Sequence, residues 1–244
     1  MDAEDAPAPG ADEAPVELTA MLRGSVVHEL LEELDFASPR APSDEAVVAR
    51  LAEHGATADA AGVRSIAGLV EGFGRSALRA RLSAASGVRR ELPFAYELAP
   101  DSDGRSLLVT GIVDVLAEEE SGALVLDYKS DALGGRDPAA VADEAYSTQR
   151  IVYALAALRA GYERVEVTYC FLERPDEPAV RVYEKADAGT LEQELLSLAG
   201  NLLAGEFVPA PEPHADLCRT CPARASLCSW GPDRTLGPKV ASAA

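Results

Sequence analysis

The stretch GIVDVLAEEESGALVLDYKSD, residues Gly111 to Asp131, contains two apolar runs around the polar turn EESG and reads as a pair of strands. Asp114 interrupts the first run. Asp127 closes the second, and Lys129 follows two residues later. A carboxylate on a buried strand face is costly unless it is paired or bound to a cation. Side chains alternate along a strand, so Asp114 is expected on the face of Ile112 and Leu116, and Asp127 on the face of Val125 and Lys129. Antiparallel pairing would bring both acids and the lysine to one point on the sheet. Two carboxylates at one point repel unless one is protonated or a cation sits between them. Oxygen ligands of this kind suit a hard divalent ion, Mg²⁺ or Mn²⁺. Such an ion clamps a phosphate and acidifies a bound water. A lysine on the same strand face orients that water or stabilises the charge that builds on phosphorus oxygens. Together these residues read as metal-assisted phosphodiester hydrolysis. The plainer alternative is a surface pair of Asp127 with Lys129, with Asp114 on a solvated sheet edge.

Upstream, LTAMLRGSVVHELLEELDF places Leu22, Val26, Val27, Leu30, Leu31 and Leu34 at helical spacing, with His28 on or beside the apolar stripe. A second helix follows a Pro-rich break, with Ser43 as its N-cap, and a third is expected over about residues 60–83. RRELPFAYELAP and RSLLVTGIVDVLAEE then read as strands. Downstream, DPAAVADEAYSTQRIVYALAALRAGY reads as one helix opened by Asp137-Pro138 and closed by Gly161. ERVEVTYCFLERP and AVRVYEKA are further strands, and DAGTLEQELLSLAGNLLAGEF is a helix. The order implies a mixed α/β sheet with one crossover helix.

At 244 residues the chain can build one good-sized core. No apolar run approaches the ~20 residues of a membrane span, and the acidic, Ala/Pro-rich start has no signal-peptide pattern, so a cytoplasmic location without membrane association is expected. Four cysteines do not make a disulfide scaffold. The net charge of −19 argues against simple electrostatic capture of nucleic acid. Charge is uneven, however. Residues 1–20 carry acids and no base, whereas GRSALRARLSAASGVRR (Gly74–Arg90) carries Arg75, Arg79, Arg81, Arg89 and Arg90 and no acid. That run is either a local basic patch or an ordinary solvated helix face.

The residues so far resemble the core of the PD-(D/E)xK nuclease superfamily. The likeness is strongest to the RecB-type nuclease domains at the C-terminal ends of UvrD-like and AddAB-type helicases. That pattern is G-x-x-D, a hairpin, then D-Y-K-[ST]. RGSVVHELLE is similar to the family's G-x-x-x-H-x-x-L-E helix, RRELPFAYEL to its R-E-x-P-F strand, and YSTQRIVYALAAL to its Q-x-x-x-Y helix. The elements come in the family's order over roughly residues 22–230. The resemblance implies a restriction-endonuclease-like α/β core, a central mixed sheet flanked by helices, with an N-terminal helical extension and a Cys-containing C-terminal tail. The expected segments are a disordered acidic tail (1–20), the helical extension carrying the His motif (21–88), the nuclease core (89–208) and the tail (209–244). It further implies that His28, Asp114, Asp127 and the Tyr128 carbonyl bind the metal and that Lys129 is the catalytic lysine. Gln149 and Tyr153 would touch DNA or position the lysine. Glu91 is either an additional acid at the site or a strand-edge charge. Val113 stands where the superfamily's name calls for Pro.

HADLCRTCPARASLC spaces His214, Cys218, Cys221 and Cys228 as H-x3-C-x2-C-x6-C. AddB-type relatives bind a [4Fe–4S] cluster through one cysteine before the core and three after it. This chain has the three but none upstream of Asp114. His214 could instead complete a Cys₃His zinc site, or the thiols could simply pack the tail. Cys170, inside a strand, reads as a small buried apolar residue.

The function expected is metal-dependent DNA cleavage, as an exonuclease in DNA end processing, recombination or repair. No G-x-x-x-x-G-K-[ST] loop is present, so the UvrD-like or AddA-type helicase motor that feeds such a nuclease would be a partner or another part of a longer polypeptide. One alternative is a catalytically silent DNA-binding or docking module. Another is a phosphohydrolase acting on small substrates.

Overall fold

Four helices precede the main sheet: α1 (Ala20–Glu32), α2 (Asp44–Glu53), α3 (Ala60–Arg75) and α4 (Ala77–Ala84). Short local hydrogen bonds set where each begins. Thr19, Ser43, Asp59 and Ser76 each accept a backbone N–H three residues on, so four N-termini are capped by side chains. The helix expected over 60–83 is broken at Ser76, a buried residue that ends α3 and caps α4 with one hydroxyl. Two dipeptide strands, β1 (Val16–Glu17) and β2 (Ala56–Thr57), pair in parallel beside these helices. The computed structural model describes residues 16–98, 106–206, 212–219 and 221–237. Most of the expected acidic tail, residues 1–15, therefore lies outside the described residues.

The main sheet has five strands in sequential order: β3 (Gly87–Leu98), β4 (Leu107–Glu119), β5 (Gly122–Lys129), β6 (Arg164–Phe171) and β7 (Ala179–Glu184). All neighbours are antiparallel except β5 and β6, which are parallel. A parallel pair needs a crossover, and here it is made by α5 (Pro138–Ala145) and α6 (Ser147–Arg159). The expected single helix is thus two, because Tyr146 leaves helical geometry at φ −124°. A final helix, α7 (Ala188–Leu198), closes the unit.

Each face of the sheet is covered. On one, Val26, Val27, Leu31 and Phe73 of α1 and α3 pack on Val115, Leu124 and Leu126. On the other, Tyr153, Leu155, Leu158 and Leu191 of α6 and α7 pack on Leu116, Val125 and Tyr169. Burial on both faces explains why β5 reads as a continuous apolar run, Ala123 to Leu126, instead of an alternating one, whereas β6 also buries the polar Glu166 and Thr168. The helices of 21–88 share this core and belong to the same compact unit as the sheet, Met1–Leu198.

The arginine-rich run does not leave a basic patch. Arg75 pairs with Glu71, and Arg81 makes a two-pronged pair with Glu119 while also meeting Glu166. Arg79 donates to the carbonyls of Gly74 and Phe36, and Arg89 to Glu118 and Tyr162. Arg90 donates to carbonyls at the end of α1.

The second unit is Ala199–Ala244. Its described residues form short helical turns: α8 (Gly200–Leu203), inside the stretch expected as one helix with α7 but parted from it at Ala199, and α9 (Ala215–Cys218) and α10 (Pro232–Thr235), where the sequence reads as loop. Arg234 of α10 lies 2.7 Å from Glu212 and over the Trp230 ring. Among the described residues no helix is long and apolar enough to cross a membrane.

Candidate active site

Three carboxylates stand in one row across three strands. The β3–β4 register puts Glu91 opposite Asp114, yet the ladder closes at Arg90↔Val115 and Leu92↔Val113 and skips the pair between. The β4–β5 ladder ends at Val115↔Leu126, so its next rung would join Asp114 and Asp127. Glu91 has φ 43°, in the left-handed region that costs a non-glycine residue free energy. The kink reverses the sidedness of both strands. Before it, Val88 packs with the α1–α4 core; after it, Leu92 and Phe94 pack with the α6–α7 core. On β4, Val113 belongs to the α6–α7 core and Val115 to the other. The expected grouping of Asp114 with Ile112 and Leu116 therefore fails: Ile112 is 52% exposed and Leu116 is buried, because alternation changes phase at Asp114.

α1 delivers His28 to this row. Its Nδ1 lies 3.4 Å from Asp114 Oδ2, which also accepts the Tyr128 backbone N–H at 2.7 Å. Two features hold α1 in place. Gly24, one turn before His28, faces Ser130, whose Oγ would sit 2.9 Å from any Cβ added there. At the other end Arg90 donates to the carbonyls of Leu31, Glu32 and Leu34 and stacks on Phe36, its guanidinium 3.8 Å from the ring centre. Leu31 and Glu32 lie in the last turn of α1, where the helix leaves carbonyls short of intrahelical partners, and Leu34 lies just past it; the Leu31 carbonyl also accepts the Leu34 N–H. The arginine before Glu91 is thus a clamp on the histidine helix.

Asp127 is held by a separate network. Its Oδ2 accepts from Tyr153 at 3.0 Å and from Gln149 Nε2 at 3.2 Å. Gln149 Nε2 also donates to Tyr153 at 3.0 Å, and its Oε1 accepts from Lys129 at 3.0 Å. Lys129 Nζ lies 2.6 Å from Asp127 Oδ1 and 4.0 Å above the Tyr146 ring. Asp127 Oδ1 is buried and has no partner in hydrogen-bond geometry, so only the ammonium charge compensates it. The motif glycine, Gly111, supports this network from below. Phe94 lies over it, with ring carbons 2.5 Å from where a Cβ would be, and meets the Tyr153 ring edge-on at 6.0 Å.

The electrostatics are those of acids short of positive charge. Burial first, then the charge on Asp127, pushes the Asp114 carboxyl from 3.8 up to about 8; Glu91 adds to the rise, and the Tyr128 N–H and Lys129 oppose it. Glu91 is raised by burial and by Glu32 and Asp127. His28 is lowered, chiefly by burial, against the pull of Asp127 and a hydrogen bond to the Tyr128 backbone. Ligand atoms of His28, Glu91 and Asp114 lie within 4.8 Å of one another, the one such group of three among the described residues. This donor set fits a hard divalent cation. It takes in Glu91, and Asp127 stands beside it on Lys129. His214, Cys218, Cys221 and Cys228 are not gathered in this way: the His214 ring accepts from Leu217 N, and Cys221 N–H donates to the Cys218 carbonyl in a turn. Cys170 is fully buried, as its strand position predicts.

A sheet with this acid row, its lysine and a histidine helix is the architecture of a nuclease family. The sequence profile of the PD-(D/E)XK nuclease superfamily matches residues 6–228, and the chain belongs to that family. It is similar to subunits of ATP-dependent helicase/nucleases. The one from Desulforudis audaxviator is 35% identical over 162 residues, covering 61% of this chain and 13% of the relative. The one from Bacillus cereus is 30% identical over 155 residues, covering 57% and 12%. The chain thus spans about an eighth of the length of these curated relatives. A solved structure from Eubacterium rectale covers 84% of this chain and 73% of its own at 13% identity, with a TM-score of 0.43.

Proposed function

We propose that this chain is a metal-dependent deoxyribonuclease domain that digests DNA from an end delivered by an ATP-dependent helicase motor, in trans or on one polypeptide, in the cytoplasm. The observation that carries the reading is the row Glu91–Asp114–Asp127 with Lys129 2.6 Å from Asp127. His28, Asp114, Asp127 and the Tyr128 carbonyl, joined by Glu91, would hold Mg²⁺ or Mn²⁺. A cation there would polarise the scissile phosphate and acidify a water. Lys129 supplies positive charge beside the phosphate, and Gln149 fixes its ammonium. Tyr153 and Gln149 occupy Asp127 Oδ2 and leave Oδ1 facing the Lys129 ammonium. The names of the relatives, helicase/nuclease subunits, support a nuclease with a helicase as partner.

The test is degradation of end-labelled single- and double-stranded DNA, and of RNA, with Mg²⁺, Mn²⁺ or EDTA, beside Asp127→Asn and Lys129→Ala. Metal-dependent loss of label that both substitutions abolish is expected. A folded chain inactive in both metals, with or without a helicase, would leave a docking module. Turnover of mononucleotides but not polymers would leave a small-substrate phosphohydrolase.

A further inference from the structure

We infer that the groove over the first turns of α1 is a phosphate seat for the DNA strand, with Arg23 as its clamp. The inference rests on the proposal that the substrate is a polynucleotide. The groove runs beside His28 and is lined by Met21, Arg23, Gly24, Ser130 and Asp131. It begins where β5 ends, directly after Lys129, so a strand whose scissile phosphate meets the acid row leaves along it.

Arg23 differs from the other arginines of this acidic chain. Among the described residues it is the partly buried arginine with neither a carboxylate nor a carbonyl partner. Its guanidinium makes one hydrogen bond, to Ser65 Oγ at 3.2 Å, and its Nε is buried without a partner. A buried donor left unsatisfied costs free energy, and a guanidinium fork matches the two free oxygens of a phosphodiester. The acid in the groove, Asp131, is already engaged by the Tyr146 hydroxyl. Ser130 adds a hydroxyl opposite Gly24, and the lack of a side chain at Gly24 keeps the floor open. Arg23 also lies near the N-terminal end of a 13-residue helix, whose dipole favours an anion there.

The experiment measures binding of fluorescent single-stranded oligonucleotides in EDTA, each carrying one uncharged methylphosphonate at a successive position. In the wild type, neutralising one phosphate next to the cut site weakens binding by roughly tenfold. Arg23→Gln loses the same factor on unmodified DNA, becomes insensitive at that position alone, and lowers the salt slope by about 0.7. Arg23→Lys, which keeps the charge but not the fork, recovers part of the affinity. An unchanged position profile in Arg23→Gln overturns the inference, as does absence of binding by the wild type at low salt. Because no metal is present, a chain that binds through Arg23 yet never cuts removes the nuclease reading alone. A chain that cuts with the same profile in both forms removes the seat alone.

Discussion

Glu91 stands opposite Asp114 with no backbone rung between them, and at that single point both strands exchange the faces they present to the two cores. The kink lets the acids lean out of the sheet toward His28 instead of into either core. Backbone strain of this kind persists where surrounding contacts enforce it. Here they are the Arg90 clamp on one side and Leu92 packing on the other.

The proton on Asp114 makes the first prediction. Its folded pKa, about 8, lies above the usual 3.8. Between those values the folded chain keeps a proton that the unfolded chain has released, so this group's contribution to stability falls as pH rises. Denaturant unfolding of the metal-free protein at pH 5 and pH 8 should show the wild type losing ground against Asp114→Asn. A constant gap would contradict it. Cation binding must expel the same proton, so Mn²⁺ affinity should climb by up to roughly tenfold per pH unit below about 8.

Arg90 makes the second. Its guanidinium donates to three carbonyls in and just past the last turn of α1 and stacks on Phe36. Arg90→Ala should cost about 2–3 kcal/mol in chemical denaturation, and Mn²⁺ affinity should fall because His28 rides on the same helix. Arg90→Lys should recover little, since an ammonium cannot bridge three diverging carbonyls.

Much of this is legible in the amino-acid order, and the remainder has a physical reason for being hidden. Asp114, Asp127 and Lys129 stand out because charge inside an apolar run is costly. His28, Gln149 and Tyr153 stand out through the family resemblance, and all six side chains meet at one end of the sheet. The phase change at Glu91 leaves no trace, because both faces are buried and Val113 and Val115 are equally apolar whichever way they point. Tyr146 reads as mid-helix; its break follows from a ring placed under Lys129 and a hydroxyl on Asp131, contacts made across the fold. The arginines of 74–90 resemble a patch because their acidic partners, such as Glu119 and Glu166, lie far away in sequence.

Gly111 makes the third prediction. A methyl group there would meet the Phe94 ring, which abuts Tyr153. Gly111→Ala should cost about 1–3 kcal/mol by overpacking and slow turnover through Tyr153 and Asp127. In the double variant Gly111→Ala/Phe94→Ala the penalties should fall short of their sum, since the clash has gone. Additive penalties would mean that the glycine serves the backbone and not the ring.

Lys129 makes the last, and it separates a structural role from a chemical one. In the metal-free protein its ammonium is, among the described residues, the charge that pairs with the buried Oδ1 of Asp127. Removing it leaves a buried carboxylate uncompensated, so Lys129→Met should destabilise the metal-free chain by about 3–5 kcal/mol. A divalent cation at the acid row supplies that missing charge, so saturating Mn²⁺ should narrow the stability gap between variant and wild type. Turnover should not return with it. A lysine that acts on the phosphate is lost whatever the fold gains, and the rate should stay lower by about 10²–10³-fold. Thermal melts and single-turnover digestion, each with and without Mn²⁺, check both halves. If stability and turnover recover together, Lys129 serves only to neutralise Asp127. If Mn²⁺ leaves the gap untouched, the cation does not bind beside Asp127, and the ligands reduce to His28, Glu91 and Asp114.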